Sequence, residues 1–129
     1  MIFGNGMVRG KPGEEHMPQL EYYPRLYLSE GINREKLEKL KKVLAAKPKK
    51  AGVYLLALPH NASDQLDIYE AKYLQRKYYD KNPLYIIGIA ADYGEAVGIV
   101  EQIAGEAWAA RGDAELRKYL MAGVGSADV

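Results

Sequence analysis

Four carboxylates, an imidazole and two serine hydroxyls fall into three short stretches of the chain. These are Ser29-Glu30-Gly31-Ile32-Asn33, Pro59-His60-Asn61-Ala62-Ser63-Asp64 and Ala91-Asp92-Tyr93-Gly94-Glu95. Oxygen-rich sets of this kind suit a hard cation. Magnesium takes one or two carboxylates in near-octahedral geometry and shares the rest of its shell with water and substrate phosphate. Glu30, Asp64, Asp92 and Glu95 are therefore the candidate metal ligands, with Mg²⁺ as the possible cofactor. His60, Asp64 and Asp92 are the candidate catalytic groups. His60 would be the general base of a divalent-cation-dependent enzyme acting on a phosphorylated small molecule. The same acids have a plainer use. Asp64, Asp92 and Glu95 stand where helices are expected to begin, and acids there satisfy open N–H groups and the helix dipole. Recognition of a ligand without metal is a third use.

Other chemistries lack their residues. Neither Gly-x-Gly-x-x-Gly nor Gly-x-x-x-x-Gly-Lys-Ser/Thr occurs, so nothing marks a dinucleotide or P-loop site. Gly-x-Ser-x-Gly is absent. With no cysteine in the chain, disulfides, thiolate metal sites and cysteine nucleophiles are excluded. Arg111-Gly112-Asp113 spells an integrin-recognition tripeptide, but a helix joint accounts for it. Gly112 suits a left-handed C-cap and Asp113 can cap a following short helix.

The elements that would carry these loops read as an alternation. Residues 22–28 form a strand interrupted by Pro24 and Arg25. Residues 34–46 form an amphipathic helix through Leu37, Leu40 and Leu44, capped by Asn33 and stopped by Pro48. Val53 to Leu58 is a buried strand. Residues 64–79 read as a second helix, with Leu66, Tyr69 and Tyr73 along one stripe. Leu84 to Ala90 is the most buried strand. A third helix runs from Asp92 to about Ala110, and a last short helix carries Leu116, Tyr119 and Leu120. The order β-α-β-α-β-α-α predicts an α/β fold. It would be a small three-layer sandwich around a short, mostly parallel sheet of at least three strands. An extra strand from the N-terminal arm or from a partner would widen so narrow a sheet. Residues 1–19 read as a flexible arm, 20–122 as the single domain and 123–129 as a flexible tail. Ligands of such sheets bind beyond the carboxyl ends of the strands, where the three acidic stretches would meet.

Charge and aromatic content suggest two further surfaces. The net charge of +1 hides a dipole. Residues 34–50 hold eight basic groups against two acids, and residues 92–129 hold seven acids against three basic groups. Lys42, Lys47, Lys49 and Lys50 are the candidate nucleic-acid contacts, expected at the opposite end of the sheet from the acidic loops. Eleven tyrosines against one phenylalanine favour half-buried sites and interfaces, because a phenol adds a polar handle to apolar area. Tyr69, Tyr73, Tyr79 and Trp108 are the candidate interface residues. A third helix apolar nearly all round would need burial on more than one side, by the last helix or by a second subunit. At 129 residues the chain is long enough for one core, and no stretch approaches a membrane span. The leading expectation is a small cytoplasmic binding or regulatory protein acting through a protein–protein surface. It would self-associate or take a protein partner, with no membrane contact. The metal-dependent enzyme is the alternative and nucleic-acid binding the second alternative.

Overall fold

The computed structural model describes residues 20–59, 65–74 and 84–128. Its strands are β1 (Leu20–Leu28), β2 (Tyr54–Leu58), β3 (Asp67–Glu70) and β4 (Leu84–Ala90). Its helices are α1 (Leu37–Ala46), α2 (Tyr93–Arg111) and α3 (Leu116–Asp128). The strands form one sheet in the order β1-β4-β2-β3. The fold is α/β, but the sheet is mixed rather than mostly parallel. β1 runs parallel to β4, while β2 runs antiparallel to both β4 and β3.

The difference comes from residues 65–74, the described part of the stretch 64–79 expected as a helix; residues 64 and 75–79 lie outside the described residues. Where a crossover helix is expected, Asp67 to Glu70 extends and pairs with β2 in reverse, Tyr54 opposite Glu70 and Ala57 opposite Asp67. The eight residues between β2 and β3 are too few for a crossover, which needs about a dozen or more, and suffice for a reversal. A strand also buries neighbouring apolar residues on opposite faces, which one helix stripe cannot do. Ile68 packs on one side of the sheet and Tyr69 on the other. A single 3₁₀ turn, Ala71–Tyr73, follows β3.

The remaining elements follow their local chemistry. The Asn33 side chain accepts from the Glu35 N–H at 2.9 Å and opens a 3₁₀ turn that leads into α1. Pro48 sits at the first position of another such turn just past α1. Asp92 accepts from the Glu95 N–H at 2.8 Å and caps α2. Gly112, with φ of 77°, closes α2 in the left-handed conformation that a Cβ disfavours. Asp113 accepts from the Glu115 N–H and pairs with Arg111 at 3.0 Å, so the Arg-Gly-Asp triplet is a helix joint. α3 takes in residues 123–128, which the sequence marks as a tail.

Two apolar layers flank the sheet. Leu55 and Ala57 of β2 face Leu44 of α1, together with Leu84 and Ile86 of β4. Leu56 and Leu58 face Ile99, Ile103 and Ala107 of α2 and Leu116 and Leu120 of α3. α2 therefore buries one stripe, Ala96, Ile99, Ile103 and Ala107, rather than being buried all round. Its outer face carries Gly98, Gly105 and Trp108, all exposed. A Cβ at Gly98 or Gly105 would meet nothing within 4 Å. Glycine in a helix interior costs about 0.5–1 kcal/mol relative to alanine. Gly98→Ala and Gly105→Ala should therefore each raise stability by about that amount, read from urea denaturation midpoints.

Candidate functional site along the outer strand

Two of the four carboxylates expected to hold a metal, Asp92 and Glu95, are engaged as staples. Asp92 is the cap of α2. Glu95 Oε1 accepts from the Gly31 N–H at 3.1 Å. A hydrogen bond from Ser29 and that from Gly31 hold the Glu95 carboxyl below the usual carboxylate range. Ser29 Oγ in turn accepts from the Ala91 N–H at 3.0 Å. Together these bonds tie the loop after β1 to the start of α2. Glu30 is exposed beside them. His60 and Asp64 lie outside the described residues. Among the described residues no three Asp, Glu or His side chains are grouped to hold a metal ion.

The lysine turn is not at the far end of the sheet. Because β2 is antiparallel to β4, it begins where β4 ends, with Tyr54 opposite Ala90. The segment 47–53 that feeds β2 must therefore lie at the same end as Asp92. The Ala71 N–H donates to the Val53 carbonyl there at 2.9 Å. Lys47, Lys49 and Lys50 are exposed, as is Lys42 on α1. Lys47, Lys49 and Lys50 share that end of the sheet with Glu30, Glu70, Asp92 and Glu95. Mixed charge weakens the case for phosphate-backbone binding, which depends on a one-sign field.

The interface candidates separate. Tyr69 is half-buried, and its hydroxyl donates to Asp67 Oδ2 at 3.1 Å. Tyr73 is 66% exposed and Trp108 64% exposed, on different elements. Tyr79 lies outside the described residues. Tyr93, 57% exposed, meets Tyr54 edge-on with ring centroids 6.0 Å apart. No common helix stripe unites Tyr69 and Tyr73, because β3 and the 3₁₀ turn stand in its place.

The most developed polar cluster lies elsewhere, at β1. Tyr22 pairs with Ile86 and Tyr27 with Gly88, so β1 takes five steps where β4 takes two. The surplus bows out at Tyr23-Pro24-Arg25-Leu26. Pro24 has no N–H to lose from the ladder, which is why a bulge on an outer strand accepts it. Gly88 lets the strand return. A Cβ there would stand 3.1 Å from the Tyr27 carbonyl oxygen.

Along this bulge runs an open cleft of about 710 Å³. Its walls come from both helix layers, Arg34, Leu37 and Lys41 on one side and Gln102, Glu106 and Tyr119 on the other. Glu106 is the hub. Its Oε1 accepts from the Tyr27 hydroxyl at 2.5 Å and the Tyr119 hydroxyl at 3.1 Å, and its Oε2 from Gln102 Nε2 at 3.0 Å. Burial pushes the Glu106 carboxyl up. The three donors and the nearby Arg25 charge outweigh burial and hold it below its ordinary value. Burial and the Glu106 carboxylate push Tyr27 and Tyr119 up, so both phenols stay protonated. Each phenol spends its proton on Glu106 and keeps oxygen lone pairs to accept from a ligand. Arg25, Arg34 and Lys41 outnumber the single Glu106 carboxylate, so the cleft is net positive.

Sequence reasoning places Pro24 near the start of its strand, where a missing N–H costs least, whereas it lies in the middle of β1 at the bulge. A proline inside an apolar strand is also a signal for a bulge at a sheet border. Nothing local links Tyr27 to Glu106, 79 positions away.

Tyr22 packs in the α1 layer with the Lys41 ammonium 4.6 Å from its ring centroid. Its buried hydroxyl has no hydrogen-bond partner. Burial, then the Glu38 charge, pushes this phenol up to about 12. Tyr22→Phe removes the unmade bond and should leave stability unchanged or raise it by up to about 1 kcal/mol. In the parent chain the fold holds the neutral phenol. That contribution is whole below pH 10, the unfolded value, and is lost as pH rises from 10 towards 12. Urea midpoints across this range should fall less steeply for Tyr22→Phe than for the parent.

No helix among the described residues is long and apolar enough to cross a membrane. Compared with protein-family models, curated proteins and solved structures, the chain matches none of them.

Proposed function

We propose that the chain is a protein-binding module that docks an extended polypeptide segment along the outer side of β1. The observation that carries this reading is the cleft, which follows a strand border and is walled by both helix layers. A sheet border presents N–H and C=O groups that an added strand can pair with. The Ser29 N–H donates inward to the Ile89 carbonyl at 3.1 Å. By strand alternation the N–H and C=O of Leu28 then face outward. Tyr27 and Tyr119 supply acceptors beside that backbone. The bulge at Pro24 breaks the border and limits pairing to the stretch after it.

The metal-dependent enzyme reading has less support, because Asp92 and Glu95 are engaged in capping and in tying the loop. The test is an amide NMR titration of the labelled protein with a short capped peptide of alternating threonine and valine. Localised saturable shifts at Leu26–Leu28, Gln102, Glu106 and Tyr119 are expected. Shifts confined to the far border, β3, would defeat the reading.

A further inference from the structure

We infer that the segment docked along β1 is acidic and belongs to a different protein, not to a second copy of this chain. This rests on the docking reading above. The cleft is walled by three cations, Arg25, Arg34 and Lys41, and one carboxylate, Glu106. Glu106 already accepts three hydrogen bonds, which leaves few open acceptor directions for a basic partner, and its one charge is outnumbered by the three cations. Arg25 and Arg34 are exposed, and Arg25 acts on Glu106 through its charge without a close ion pair among the described residues. Lys41 approaches Glu38 at 3.5 Å, but Glu38 is 83% exposed and easily exchanged for another carboxylate. An extended partner would place alternate side chains towards the two helix layers. Carboxylates at those positions would meet Arg34 and Lys41 on one side and Arg25 near the other.

The same charges argue against a second copy. Border-to-border pairing through a two-fold axis would bring two sets of Arg25, Arg34 and Lys41 together. Like charges across paired strands are destabilising. Pro24 in each copy would also interrupt the shared ladder. Cationic groups and proline on an outer strand are the usual guards against self-pairing.

The test compares three capped peptides of equal length. Valine alternates with glutamate, with threonine or with lysine. Binding is read by fluorescence anisotropy at low and high salt, and the oligomeric state of the chain by light scattering. The glutamate peptide, whose carboxylates all point to one side of the strand and so meet either Arg34 and Lys41 or Arg25, should bind about threefold to tenfold more tightly than the threonine peptide, the yield of one or two exposed ion pairs. That margin should shrink as salt is raised. In the Arg25→Glu/Arg34→Glu variant, whose changed positions are exposed, the order should reverse in favour of lysine. Equal affinity for the glutamate and threonine peptides would overturn the acidic assignment and leave strand docking standing. Tightest binding of the lysine peptide would overturn it in the same way. Binding of none of the three would remove the docking reading and this inference with it. A dimer whose interface shifts map to β1 would also overturn the inference, by making a second copy the occupant.

Discussion

Leu56→Ala should cost about 2–5 kcal/mol and lower the thermal midpoint by roughly 10–20 °C. Leu56 is fully buried in β2, which lies between β4 and β3. It projects into the layer formed by Ile99 and Ile103 of α2 and Leu120 of α3. Truncation would remove most of a side chain from a region with rigid neighbours on every side. The loss is a transfer term plus a cavity that strands held on both flanks cannot close. Differential scanning calorimetry would read it directly. A fall within a degree or two of the parent would mean that α2 does not rest on β2 as described. Trp108→Ala is the matched control. It removes a larger side chain from α2, the helix packed on Leu56, but at an exposed position, and should change stability by less than about 0.5 kcal/mol.

The second large effect is at Gly31. A Cβ there would stand 2.5 Å from the Cβ of Ala91 and 2.9 Å from Glu95 Oε1. Neither can be ignored, and Ala91 follows directly on β4, where it has little room to retreat. Gly31→Ala should therefore destabilise by about 1–3 kcal/mol, the range for overpacking. Two double variants separate the causes. Adding Ala91→Gly should recover most of the loss, because the clash is between two Cβ atoms. Adding Glu95→Ala should recover little, because the carboxylate can swing aside but Ala91 cannot. Denaturation midpoints for the four proteins test this. Equal rescue by both second changes would defeat the geometric account. The pair also shows what the acidic loop does. Glu95 draws the turn after β1 onto the start of α2, a structural use of a residue type that suggested metal chemistry.

Much of the fold is legible where one residue dictates local geometry. Asn33, Pro48, Asp92 and Gly112 bound their elements as their backbone chemistry demands, and Leu84 to Ala90 reads correctly as the most enclosed strand. Direction was not legible. Nothing in Val53 to Leu58 says which way that strand runs. The reversal of β2 alone moves Lys47, Lys49 and Lys50 from one end of the molecule to the other. Residues 66–73 misled because Leu66, Tyr69 and Tyr73 fit a helical stripe. Ile68 and Tyr69, half-buried on opposite faces, decided for a strand, and that is visible only once two layers exist to receive them. The cleft was least legible of all. Tyr27, Glu106 and Tyr119 are ordinary residues on three elements, and only the folded chain brings them together.

The parallel pairing of β1 with β4 bears on the order in which the molecule assembles and opens. β2 and β3 lie close together in the chain and can meet early. β1 must wait for a partner far along the sequence, and even its anchoring loop bond, Ala91 to Ser29, spans 62 positions. Closing so long a loop carries an entropic cost that short-range pairs avoid. The bulge at Pro24 then leaves β1 holding its neighbour at two short ladders. β1 should be the last strand to join during refolding and the first to let go in native-state hydrogen exchange. Its amides should exchange through sub-global opening, while those of β4 next to β2 wait for complete unfolding. A segment bound along β1 would slow exchange there first, which makes amide protection a reporter of occupancy that needs no label.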